Sequence, residues 1–353
     1  MSRHVNIPVF IPHLGCPNQC VFCNQRSITG VSEFDFDSVK IAIDTALATV
    51  ESDAEVEIAF FGGSFTGIDY KLMCDLLKLA HSYILSGSVS SIRCSTRPDY
   101  INEHILETLK FYGVKTIELG LQSSSDQVLD LTKRGHNFQS ELEACKMIVN
   151  NGFSLVGQMM IGLPGSDADS EEETARFIVS MGATGARIYP TVVFKDTELC
   201  CMAERGEYQP ISLEDAISRS AKVFRIFKES GVEVIRIGLC SSDNLSDENT
   251  YYAGPNHPAL GELVESEYYY QIIKEKIKEF RITSAHEIEI CGAPRTLSKL
   301  IGQKKKNKFR LMSDFQGVVM FFTESENVSE YDVEIRIRKG KTNVLKITRA
   351  SRI

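Results

Sequence analysis

A chain of 353 residues with 43% hydrophobic content can bury a substantial core, enough for one large domain and an appendage. No apolar stretch approaches the roughly 18–20 residues of a membrane span, and Pro8, Pro12 and His13 interrupt the segment where a signal peptide needs an unbroken apolar run, so a cytoplasmic protein away from membranes is expected. The net charge of −8 is unevenly divided, with +7 in residues 281–353 and −15 in the rest, which suggests that the C-terminal part touches something anionic.

In chain order, HVNIPVFI reads as a strand that delivers a cysteine loop. A helix follows over 37–50, with Val39, Ile43, Ala46, Leu47 and Val50 at helical spacing. EVEIAFF is an apolar strand ending in GGSFTG, and Leu72, Leu76, Leu77, Ala80 and Ile84 then mark a second helical stripe. SSIRCS, KTIELGL, FSLVGQMMI and TGARIYP continue as strands, separated by helices over 105–112, 141–151 and 171–181. Six strand–helix units predict a parallel sheet curled into a partial (β/α)6 TIM-like barrel, a fold whose chemistry stands at the C-terminal strand ends. The expected organisation is a core over 1–240, a connecting loop and helix over 241–284 closing the barrel, and a small basic α/β domain over 285–353. SSDNLSDEN is a polar loop within the second of these, and KKKNKFR is the densest basic run of the third. A lysine-rich face could grip RNA phosphates, although only Phe309 interleaves with the basic residues as a stacking ring.

Cys16, Cys20 and Cys23 lie in HLGCPNQCVFCNQ with the spacing Cys-x3-Cys-x2-Cys. Three thiolates within eight residues can hold three irons of a 4Fe–4S cube and leave the fourth open, whereas an electron-carrying cluster takes four. His13 keeps a Cys3His zinc site available as the alternative. The other seven cysteines are scattered through helices and strands and are expected as buried thiols in a reducing compartment. Gly62 and Gly63 let the backbone approach a ligand closely, with a tight strand-to-helix turn as the alternative. Glu118, between Ile117 and Leu119, should point into the barrel and needs a cation, for which Arg134 or Arg187 is available. Arg97 and Asp99 precede a helix near Asn102, where capping would explain them. His136, Tyr189, Lys195, His257 and Glu262 are candidate substrate contacts.

The motifs CPNQCVFCNQ, FFGGSFTG, STRPDYI, IELGLQS, KRGH, MMIGLPGSD and RIYPTVVFKDTEL, in this order over about residues 5–240, resemble radical S-adenosylmethionine (SAM) enzymes. They are most similar to the radical domain of the Elongator catalytic subunit and to relatives of oxygen-independent coproporphyrinogen oxidase. The resemblance implies that Cys16, Cys20 and Cys23 bind the cluster and that the open iron takes SAM. It further implies nucleotide contacts from Phe22, Gly62, Gly63, Ser64, Gln122, Arg134 and Gln158, with Ser95 and Gln158 standing where relatives carry carboxylates. The implied reaction is reductive cleavage of SAM to a 5′-deoxyadenosyl radical, fed by an external flavodoxin- or ferredoxin-type donor. The roughly 110 residues after Leu239 are too few for Elongator's acetyltransferase domain, so its complete tRNA modification is not expected. Modification of an RNA nucleoside is the leading expectation. Radical chemistry on a small molecule or tetrapyrrole, and a non-catalytic iron–sulfur RNA-binding or sensor protein, are the alternatives.

Overall fold

The computed structural model describes residues 4–11, 16, 20–23, 34–51, 53–239, 250–284, 286–339 and 343–347, the last group as backbone only. His13, Cys240 and the 241–249 loop lie outside them. Contacts divide the chain into two units, 1–212 with 232–256 and 213–231 with 257–353.

The first unit is built on β1 (His4–Ile11), β2 (Glu55–Gly62), β3 (Ser91–Thr96), β4 (Val114–Gln122), β5 (Ser154–Ile161) and β6 (Gly185–Pro190). All six strands expected from the sequence are present. A seventh, β8 (Glu233–Ile237), extends the sheet on β6, so the order is β1-β2-β3-β4-β5-β6-β8 with every pair parallel. The sheet curls into a half-barrel. The short β7 (Val193–Phe194) and β9 (Tyr251–Ala253) pair separately. Along β1, buried Ile7, Val9 and Ile11 alternate with exposed Pro8 and Phe10, so this edge strand packs on one face only. β2 to β6 are buried along most of their length, as strands covered on both faces must be.

The loops that leave the strand ends turn into helices through Asx caps. Asp69 accepts from the Leu72 amide, Asn102 from Ile105 and Asn137 from Ser140, and Asp167 with Ser170 closes a capping box. Each cap satisfies amides that would otherwise be orphaned beside the strand ends, leaving the loops before it free for function.

In the second unit, helix Leu213–Glu229 packs on helix Leu260–Glu279, where the Phe224 ring meets Tyr268 and Tyr331 edge-on. Its sheet has the order β11-β10-β12-β13, from β11 (Val319–Glu324), β10 (Glu287–Gly292), β12 (Glu334–Lys339) and β13 (Asn343–Ile347). Ile288, Ile290, Met320 and Ile335 form its buried side. On the opposite side Arg338 covers the Phe321 ring and pairs with Glu289, so the arginines there are already neutralised. Helix Lys306–Asp314, absent from the sequence expectation, follows Lys304 and Lys305, both with left-handed backbones. Lys304, Lys305 and Lys306 are exposed and pair with no carboxylate among the described residues. No helix among the described residues is long and apolar enough to cross a membrane. Of the scattered cysteines, Cys94, Cys145, Cys200 and Cys291 are buried free thiols, while Cys74 is half-buried and Cys201 exposed.

Candidate active site

The cysteine loop leaves the C-terminal end of β1 and is tied down at its centre. The Val21 amide donates to the Thr132 carbonyl (3.2 Å), and the Leu199 amide donates to the Val21 carbonyl (2.8 Å). Val21 is buried among Val193, Leu199, Cys200 and Tyr208, and Phe22 packs on the edge of that cluster. The Cys23 amide closes a turn onto the Cys20 carbonyl (3.0 Å). Cys20 is buried, while Cys16 and Cys23 are half-buried. Burial pushes the Cys16 thiol up, against a hydrogen bond from the Ser64 backbone and the nearby Arg97 charge. That contact places the cysteine loop beside GGSFTG.

Two guanidinium groups converge on one sulfur. Arg134 Nη1 lies 3.3 Å from Cys20 Sγ and Arg97 Nη1 3.6 Å from it. Arg134 Nη2 also donates to the Gly120 carbonyl, and Arg97 donates to the Arg134 carbonyl. Arg97 and Asp99 do not cap the next helix, which Asn102 caps alone; they pair with each other at 2.9 and 3.1 Å. His136 stands between Asp99 (3.5 Å) and Glu141 (3.1 Å). Burial would raise Asp99, but hydrogen bonds from His136 and Arg97 overcome it and hold the carboxyl well below the usual range. Burial dominates at Glu141, whose carboxyl is pushed up to about 7 despite His136.

Gly62 has φ +120°, and a Cβ there would strike the Ile11 carbonyl. The residue that lets the chain enter the loop is therefore glycine for backbone reasons. Gly62→Ala is expected to lower stability by about 1–3 kcal/mol; a urea midpoint indistinguishable from wild type would refute this. Gly63 follows, half-buried. The Ser64 hydroxyl is committed to Thr96 Oγ1 (2.8 Å), which also meets Thr66 (2.6 Å), and it is the Ser64 backbone that reaches Cys16. Gln122, at the end of β4 beside a register shift, has φ +71°, and its buried Oε1 has no partner; neither has the buried Nε of Arg134. A strained backbone at Gln122 and two orphaned polar atoms, on side chains that both come against Gly120, are the marks of a site shaped for a ligand.

A model of the radical SAM superfamily matches residues 10–178, and one of the radical SAM C-terminal domain matches residues 183–270. The chain belongs to the radical SAM superfamily. It is an enzyme of that group. It is 26% identical to the tRNA uridine(34) acetyltransferase of Methanocaldococcus jannaschii, over 57% of this chain and 45% of that protein. It is also 26% identical to human Elongator complex protein 3, over 61% of this chain and 47% of the relative. Among solved structures, the archaeal Methanocaldococcus infernus Elp3 superposes with a TM-score of 0.60 at 17% identity, covering 96% of this chain and 74% of that one. The chain thus spans about half the length of the curated relatives cited here.

Radical SAM proteins generally use a 4Fe–4S cluster and SAM. Among the described residues no three of His, Cys, Asp and Glu stand together as a ready metal cradle. The donor chemistry nonetheless fits such a cluster, with three free thiols in eight residues and two cations facing the central sulfur. The orphaned Gln122 Oε1 and Arg134 Nε leave polar capacity for a ligand.

Inside the radical SAM half-barrel a charged ladder crosses the sheet. Glu57 pairs with Arg93, Arg93 with Glu118 (3.1 Å), and Glu118 with Arg187 (2.7 and 3.0 Å). Gln158 Nε2 donates to Glu118 (2.9 Å) and to Ser95 (3.2 Å), so its amide nitrogen belongs to the ladder and only its Oε1 could meet a ligand. Glu118 points inward as its neighbours require, and Arg187, not Arg134, answers it. Glu57 and Arg93 were not singled out by the sequence; a charge in each otherwise apolar strand was the available signal. Tyr189 meets Arg187, and the Lys195 amide bonds the Thr250 carbonyl. His257 belongs to the second unit and accepts from the Ala259 amide in a local turn, and Glu262, on the helix that follows, is exposed.

Proposed function

We propose that this enzyme reductively cleaves SAM and uses the resulting radical to modify an RNA nucleoside. The observation that carries the reading is the buried Cys20 sulfur facing Arg97 and Arg134, with an unpartnered Nε on Arg134 and an unpartnered Oε1 on Gln122, whose side chain meets Gly120 as Arg134 does. Cys16, Cys20 and Cys23 would hold the cluster. The backbone of Gly62, Gly63 and Ser64 would meet the nucleotide, with Gln122, Arg134 and Gln158 as its side-chain contacts and Phe22 packed alongside the cysteines. Bound there, cluster and SAM supply an electron from a flavodoxin- or ferredoxin-type donor and a 5′-deoxyadenosyl radical. The chain's own part is to orient these groups and to keep water from them, which the tied-down loop and buried arginines favour.

The RNA part is supported by the similarity to the archaeal tRNA uridine(34) acetyltransferase and by the exposed lysines of the second unit. Acetyl transfer is not carried over. The test is 5′-deoxyadenosine formation by anaerobically reconstituted protein with SAM, dithionite and bulk tRNA, beside Cys20→Ala. Product from the native protein alone supports the reading; equal traces from both proteins, with the native cluster intact, reject it. Replacing Lys304, Lys305 and Lys306 with Glu is expected to weaken tRNA binding at least tenfold and to flatten its salt dependence. Filter binding across a salt series checks this, and an unchanged slope would remove that surface from the proposal.

A further inference from the structure

Arg97 is buried at the end of β3, and each of its three nitrogens is engaged. Nε and Nη2 hold Asp99, Nη2 also reaches the Arg134 carbonyl, and Nη1 faces Cys20 Sγ at 3.6 Å. No nitrogen of Arg97 is left without a partner, whereas Arg134 keeps an unpartnered Nε. Asp99 is in turn gripped by His136, and His136 by the fully buried Glu141. A string of three polar side chains, Asp99, His136 and Glu141, thus fixes one cation against one sulfur.

We propose that Arg97 is a positioning residue that sets the reduction potential of a cluster at Cys20, with Asp99 as its counterweight. The proposal rests on the reading that Cys16, Cys20 and Cys23 hold a cluster. Reduction adds one negative charge to the cluster, and a cation hydrogen-bonded to a ligating sulfur stabilises the reduced form. Burial keeps that interaction from being screened by solvent or salt. Asp99, on the far side of the guanidinium, offsets part of the charge.

The experiment is an EPR-monitored reductive titration of the reconstituted full chain, with iron and sulfide content measured for every sample. At the wild-type midpoint, Arg97→Gln is expected to lower the ratio of reduced to oxidised cluster about tenfold, or about 59 mV for one electron. Arg97→Lys, which keeps the charge but loses the fork, should retain most of the wild-type ratio. Arg97→Gln with full iron content and a ratio within twofold of wild type overturns the proposal, because a merely structural role would leave the midpoint in place. Should Arg97→Gln take up no cluster, Asp99→Asn decides. Removing the counterweight is expected to shift the ratio toward the reduced form, and no shift, or a shift the other way, overturns the proposal. A wild-type protein that incorporates no iron and sulfide overturns the cluster reading itself, and this proposal with it.

Discussion

Glu118→Ala is expected to destabilise the protein by about 3–5 kcal/mol, the usual cost of removing one partner from a buried ion pair. Glu118 is fully buried and accepts from Arg187 through both carboxylate oxygens, from Arg93 and from Gln158. Burial opposes the charge of Arg187, yet the hydrogen-bonded Glu118 more than offsets it, so the guanidinium is held more firmly protonated than usual. Without the carboxylate, Arg187 keeps its desolvation cost and loses its counter-ion, while Arg93 still has Glu57. The Phe61 ring, 5.5 Å from the Arg187 guanidinium, recovers little of that loss. Urea unfolding measures the effect. Glu118→Ala combined with Arg187→Met should cost less than the two single changes added, since the double variant strands no charge. A single-variant cost below about 1 kcal/mol would show that water reaches this part of the barrel and that the ladder contributes little.

The ladder also marks where reading the sequence succeeds and where it stops. The direction of Glu118 was legible because Ile117 and Leu119 flank it on a strand of period two, and two apolar neighbours facing out force it in. Its partner was narrowed only to Arg134 or Arg187, and the sequence could not choose between them. Arg134 is nearer in sequence, but it follows the short helix Asp126–Leu131 and folds back to Gly120 and Cys20; Arg187, on β6, arrives only through the sheet order. The Arg97–Asp99 pair repeats the lesson, because a local cap was the simplest account of both residues and Asn102 already fills that role. Six strands announced themselves by apolar runs, and the cysteine spacing pointed to a cluster site. The left-handed backbone of Gln122 and its orphaned oxygen leave no mark in the sequence, since both follow from a register shift between β4 and β5. Helix Leu213–Glu229 has a visible stripe in Ala216, Ile217, Ser220, Ala221, Phe224 and Phe227, but its grouping with residues 257–353 depends on contacts far along the chain.

Glu141 should make the protein less stable as pH rises from about 4.5 to about 7. Its carboxyl is raised from 4.5 to about 7 by burial, against the smaller opposing effects of His136 and Arg134. In that window the unfolded chain releases a proton that the folded chain still holds. A raised native pKa contributes stability that is complete below the unfolded value and lost as pH rises through the folded one. The shift corresponds to a loss on the order of 3 kcal/mol across the window. Lowered carboxyls act elsewhere: Asp99 and Glu57 lose their contributions only as pH falls below their ordinary values of 3.8 and 4.5. The raised thiols Cys94 and Cys145 act above 9. His136, Arg134 and Asp126 face Glu141 and are present in wild type and Glu141→Gln alike, so the difference between the two proteins isolates the carboxyl and its hydrogen bond. Glu141→Gln is therefore expected to have a flatter stability profile from pH 5 to pH 7 by urea unfolding. Identical slopes in the two proteins would mean that Glu141 is ionised in the fold, held as a carboxylate by His136, and that the string from Cys20 ends on a fixed negative charge rather than on a proton.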